Sequence, residues 1–143
     1  MDLAPEKIAD LRVKHLEMLK AVISRIASQG ATLKNYCLML ATAICGFAIT
    51  LQKPSVALLS LVPVTIFALL DAQYLRLERG FRAAFDQTRL GNWGTAPNFE
   101  ISSDSAGQVS YWAALRSWSI IIFYAPLALA VVIVLLIARC VYG

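Results

Sequence analysis

Few residues in this chain are of a type that does chemistry. There is one histidine, His15, and there are three cysteines, Cys37, Cys45 and Cys140. His15 falls on an amphipathic stretch and reads as a boundary residue of a helix packing face rather than a ligand or base. Cys37 and Cys45 are eight residues apart on one expected helix, about 12 Å at a rise of about 1.5 Å per residue, too far to bridge. The odd count argues against a disulfide framework, and no spacing suits a metal. The cysteines read as small apolar packers. No nucleophile has an activating neighbour, and no Gly-rich loop follows a strand. The chain therefore reads as a non-enzyme with no cofactor.

One carboxylate is out of the ordinary. In "FALLDAQYLRLERGFRAAFDQTRLG", Phe67 to Gly91, the residue Asp71 sits where an apolar run meets a basic helix. An ionised group inside a bilayer is costly, by about 2.5–3.5 kcal/mol at the midplane on insertion scales, and seeks a partner. Lys34 opens the preceding apolar segment at nearly the same depth, so an Asp71–Lys34 intramembrane pair is expected. Two roles stay open for Asp71: a packing lock, or a polar group facing a shared interface or pore.

The elements that position these residues follow from composition and period. Of the 143 residues 59% are apolar and 15% charged, against about 25% charged in an ordinary soluble domain. The expected fold is an all-α membrane protein with three transmembrane helices, an N-terminal amphipathic helix and a cytoplasmic helical extension of the second span. Residues 1–30 form the amphipathic cytoplasmic element. Within it, 5–29 repeats Ile8, Leu11, Leu16, Leu19, Val22, Ile23 and Ile26 at threes and fours, and "SQG" at 28–30 is expected to loosen it. Residues 1–30 show no apolar signal core or cleavage site, so insertion through the internal segments is expected.

Residues 31–75 read as a transmembrane hairpin turned at "QKPS", with Pro63 expected to kink its second arm. Thr42, Gly46 and Thr50 form a small-xxx-small ladder suited to close helix approach and oligomerisation. Residues 76–90 continue the second arm as a stalk. The stalk residues Tyr74, Arg76, Glu78, Arg79, Phe81, Arg82 and Phe85 divide into an apolar stripe and a basic face, with Glu78–Arg82 an i,i+4 pair. The arginines read first as a solvated or lipid-facing surface, and second as a site for an anionic ligand or acidic partner. The apolar stripe is expected to pack on helix 5–29. The rival reading lays 5–29 flat on the membrane. Residues 91–110 read as a cytoplasmic loop, in which "NFEIS" is a candidate short strand without a partner strand, and 111–143 as the third transmembrane helix, with Tyr111, Trp112 and Trp118 at one interface, Tyr142 at the other and Pro126 as a kink.

The formal net charge of +4 reads as topology, not nucleic-acid binding. Eleven basic residues (Lys7, Arg12, Lys14, Lys20, Arg25, Lys34, Arg76, Arg79, Arg82, Arg89, Arg116) lie on one side of the spans, and only Lys53 and Arg139 on the other. The expected location is a bacterial inner (cell) membrane, N terminus cytoplasmic and C terminus outside. Membrane lipid and further copies of the chain are the expected partners.

The stretch "HLEMLKAVISRIASQGATLKNY" and the pattern L-D-x-x-Y-L-x-x-E-R-x-F-R, here Leu70 to Arg82, resemble a group of small bacterial multi-span membrane proteins of anti-phage defence operons. The resemblance covers about residues 5–90. It implies a membrane-disrupting effector beside a cytosolic sensor or TIR-type partner protein, held inactive until triggered. Two other readings remain: a membrane anchor or scaffold that recruits a soluble enzyme, and a holin-like lysis protein.

Overall fold

The structure is a computed structural model, and it describes residues 4–101 and 109–142. Among the described residues five helices follow in order: α1 Pro5–Thr50, α2 Pro54–Leu58, α3 Leu61–Leu90, α4 Tyr111–Leu115 and α5 Trp118–Tyr142. The protein is an all-α membrane protein. Its three spans lie in α1, in the α2–α3 segment and in α5, each long and apolar enough to cross a bilayer.

The amphipathic stretch and the first span are one helix of 46 residues, about 69 Å at about 1.5 Å per residue. "SQG" does not loosen it. Gly30 costs a helix about 1 kcal/mol in isolation, but here it is buried against α3, and the close approach compensates for the lost propensity. Pro5 opens the helix at a position whose N–H has no intrahelical acceptor.

The turn after α1 has no glycine. Gln52 takes φ 54°, Lys53 N–H donates to Ala48 O, and Gln52 N–H donates to Ile49 O. This is the Schellman pattern with a side chain in the left-handed position. Gln52→Gly removes the Cβ conflict, and a gain of about 1 kcal/mol is expected, read as a higher midpoint of thermal unfolding in detergent.

Pro63 does not kink the middle of the second arm. It sits in the first turn of α3, and the break falls ahead of it, at Leu59 and Ser60. Proline has no N–H for the carbonyl of residue 59 and its ring crowds that carbonyl. Leu59 O accepts from Val62 N–H instead, and the Ser60 hydroxyl donates to Ala57 O at 2.6 Å. The third span also begins later than its sequence suggests. A break at Arg116–Ser117 detaches α4 from α5, while α5 runs unbroken through Pro126. Among the described residues of 91–110 no strand forms.

The helices meet through small residues. Ala41, Ala48, Ala57, Ala72, Ala114 and Ala138 are all buried. The main cluster joins Cys37 and Ala41 of α1, Val64 and Ala72 of α3, and Ile120 and Tyr124 of α5. Alanine surfaces let helix axes approach closely, which favours dispersion contact where lipid removes most of the hydrophobic driving force. α1 and α3 are antiparallel: Lys34 meets Asp71, while Arg12 at the other end meets Thr88.

Candidate functional site: a charged shoulder between three helices

Asp71 lies on α3 about 15 Å along the helix from Leu61, at about 1.5 Å per residue. Its side chain is 5% exposed. Lys34, on the antiparallel α1, places Nζ 2.5 Å from Asp71 Oδ2. The ammonium is better exposed than the carboxylate, at 23%. The other carboxylate oxygen points at the Gly30 backbone: a Cβ built on Gly30 would stand 3.2 Å from Asp71 Oδ1. Gly30 and Lys34 are one turn apart, so a single face of α1 supplies both the room for the carboxylate and its counter-charge.

A cavity of about 330 Å³ opens beside the pair, lined by Gly30, Lys34, Asp71, Tyr74, Glu78 and Ser119 among others. Glu78 Oε1 accepts from both Nε and Nη2 of Arg82. Two carboxylates and two cations therefore balance around this space. It can hold water or a small ion next to a partly dehydrated ion pair, at the level where the apolar part of α3 ends. It offers no nucleophile with an adjacent base, and no group of His, Cys, Asp and Glu among the described residues could hold a metal.

The stalk residues take several roles. Tyr74 and Glu78 border the shoulder cavity, while Phe85 and Arg82 line a shallower groove with Lys20 and Ile23 of α1. Phe81 is half-buried. The apolar stripe is thus partly covered inside the protomer, its residues half-buried and Phe85 bordering an open groove with Ile23 of α1. Two arginines depart from the solvated surface expected of them. Arg76 Nε donates to Val109 O at 3.0 Å, and Arg79 Nη2 donates to Ser117 Oγ at 2.9 Å. Both hold the chain leading into α5, and the Arg116–Ser117 break presents that hydroxyl. Their side chains are half-buried. Hydrogen bonding of arginine to uncharged loop groups leaves no trace in residue spacing, so helical periodicity could not find it.

α4 and α5 are each held to α3 within the turn that precedes Asp71. Tyr124 OH donates to Phe67 O at 3.3 Å, one turn before Asp71, and Tyr111 OH donates to Leu69 O at 3.0 Å. Trp112 and Trp118 are exposed, as an interfacial belt requires.

Thr42, Gly46 and Thr50 lie on the outer side of the bundle. A Cβ built on Gly46 would meet nothing within 4 Å, and the two hydroxyls donate to carbonyls of their own helix. The packing row is the neighbouring one, Cys37, Ala41 and Ala48. His15 is not at a boundary: it is 3% exposed, turned inward beneath the loop that follows α3.

Compared with family models, with curated proteins and with solved structures, the chain matches none of them.

Proposed function

We infer that the chain is a non-enzymatic effector of the bacterial inner membrane. It oligomerises and lets ions cross the bilayer when a cytosolic partner or signal acts on its membrane-distal end, which lies in the cytoplasm. Its setting in phage defence rests on the resemblance carried by Leu70 to Arg82. One observation supports the mechanism above others. α1 and α3 pass without a break from the membrane-distal layer, through the Lys34–Asp71 pair, into the spans. A rigid helix transmits a tilt along its length, so displacement at the far end acts directly on a charged pair at the bilayer shoulder. Membrane potential in cells expressing the chain, with and without its neighbouring genes, tests this reading. Depolarisation on triggering supports it, and an unchanged potential at confirmed membrane expression rejects it.

The anchor reading has one observation in its favour. Leu90, Trp93, Phe99 and Ile101 are exposed at the membrane-distal tip, where an apolar group faces water. An anchor would recruit a soluble protein there and leave the potential unchanged.

Topology and assembly have separate tests. Cys140 is exposed while Cys37 is buried. With Cys37 and Cys45 replaced by Ala, an impermeant thiol reagent is expected to label Cys140 in intact spheroplasts. Labelling only after lysis would reverse the orientation. A Cβ at Gly46 meets nothing inside the protomer, so Gly46→Leu should not lower the stability of the protomer, and the helix-propensity gain of about 1 kcal/mol should raise it. Cross-linking into oligomers in nanodiscs should fall. Unchanged cross-linking would remove the Thr42/Gly46/Thr50 face from assembly.

A further inference from the structure

A second, wider-mouthed pocket, of about 340 Å³, lies at the membrane-distal end between the start of α1, the last turn of α3 and residues 91–98. Arg12, His15, Gln87, Gly91, Ala96 and Asn98 are among its lining residues, and no carboxylate among the described residues lines it. Arg12 is 7% exposed. Its Nε donates to Thr95 O at 3.0 Å, Nη1 to Thr88 O at 3.2 Å and Nη2 to Thr95 Oγ1 at 3.3 Å. Its guanidinium carbon stands 5.9 Å from the Trp93 ring centroid. Every one of these partners is uncharged, and among the described residues Arg12 has no ion pair. A buried cation without a counter-charge keeps much of its desolvation penalty.

His15 follows one turn later on the same face of α1. It is 3% exposed, with its ring 5.6 Å from the Phe99 ring. Among the described residues neither Nδ1 nor Nε2 has a hydrogen-bond partner. The large majority of buried side-chain polar atoms have one. Among the described residues a missing counter-charge and a missing hydrogen bond therefore coincide in one pocket. Gly91 also borders it, and a Cβ there would reach ordinary contact with Arg12 Nη1 at 3.5 Å.

The geometry points to a binding site for a small soluble anion carrying a phosphate or carboxylate group. A guanidinium presents its N–H groups as a planar fork that matches such oxyanions, and Arg12 has donors left over after its three bonds to the protein. Arg12 makes the principal contact. His15 supplies a further N–H once residues 91–98 settle around the ligand. The ligand is not a lipid headgroup: Arg12 lies 22 residues before Lys34 on an unbroken helix, about 33 Å away at about 1.5 Å per residue. Bound anion ties the first turns of α1 to the end of α3 and to the loop. The site stands on these residues alone and holds whether or not the chain depolarises membranes.

The single histidine makes the test direct, because imidazole nitrogen signals have one source. The full chain, labelled with ¹⁵N-histidine in phosphatidylcholine nanodiscs, is titrated with inorganic phosphate and separately with acetate. The pH and ionic strength are held constant with chloride. The expected result is a saturable imidazole shift with phosphate or acetate, beyond chloride alone. It should weaken about tenfold or more in Arg12→Gln. It should vanish in Ala96→Trp, which fills the cavity from its rim and keeps both Arg12 and His15. Three results overturn the proposal: no saturable shift with either anion, an identical titration in Ala96→Trp, or saturation by an acidic peptide but by neither small anion.

Discussion

Asp71→Leu is expected to destabilise the protein by about 3 kcal/mol, the lower end of the range for breaking a buried pair by removing one partner. The lower end applies because Lys34 is 23% exposed and can turn its ammonium toward water, whereas the Asp71 carboxylate is 5% exposed. Asp71→Asn keeps an oxygen that accepts from Lys34 and should cost less, about 1–2 kcal/mol. The double variant Lys34→Met/Asp71→Leu should recover most of the loss, since an apolar pair of similar volume replaces a charge pair with little penalty. Thermal unfolding followed by circular dichroism in one detergent ranks the four proteins. If the double variant is no more stable than Asp71→Leu, the charge pair is not the source of the effect. Depolarisation measured at matched expression then separates stability from activity. Equal depolarisation by wild type, Asp71→Asn and Asp71→Leu would show that Asp71 has no part in function.

Gly30→Leu is expected to be nearly as damaging, through volume instead of charge. A Cβ at residue 30 already stands 3.2 Å from Asp71 Oδ1, tighter than ordinary contact, and Asp71 is held in place by Lys34. A longer side chain must push α1 away from α3 at the height of the pair. Overpacking of this kind costs about 1–3 kcal/mol, and separating the two charges adds to it. Gly30→Ala is the mild case: a helix-propensity gain of about 1 kcal/mol opposes the contact. The decisive comparison is a double-mutant cycle. Gly30→Leu should cost at least about 1 kcal/mol less in an Asp71→Ala background, because the atom it strikes is gone. Strict additivity would show that the cost of Gly30→Leu does not arise from its contact with Asp71.

These two residues mark the boundary between sequence and structure in the site. Asp71 and Lys34 stand at similar depths of adjacent antiparallel helices, a relation that counting residues at a fixed rise expresses well. In the structure their charged atoms are paired. Gly30 carries the opposite sense in each view. In one dimension a glycine in a helical pattern is a weak point. In three dimensions it is where another helix needs the space. The same holds for Arg76 and Arg79, whose basic character is plain while their acceptors, Val109 O and Ser117 Oγ, lie 33 and 38 residues away. The Arg12–His15 cavity is a further case. It requires the loop after α3 to fold back over the beginning of α1, and no periodicity records that return.

The amino-acid sequence by itself determines that this is a helical membrane protein with three spans and a helical layer beyond them. Bilayer thickness and the 3.6-residue period translate directly into run lengths and apolar stripes. It also determines where charge interrupts the apolar runs. Only the tertiary structure decides that the amphipathic stretch and the first span are one rod, and that the row Cys37, Ala41 and Ala48, not Thr42, Gly46 and Thr50, faces the partner helices. The physical reason is that neighbouring rows of small residues on one helix are equally able to accept close packing. Which row is used depends on how the whole bundle satisfies Asp71, Arg76 and Arg79 at once, and that is a property of several helices together.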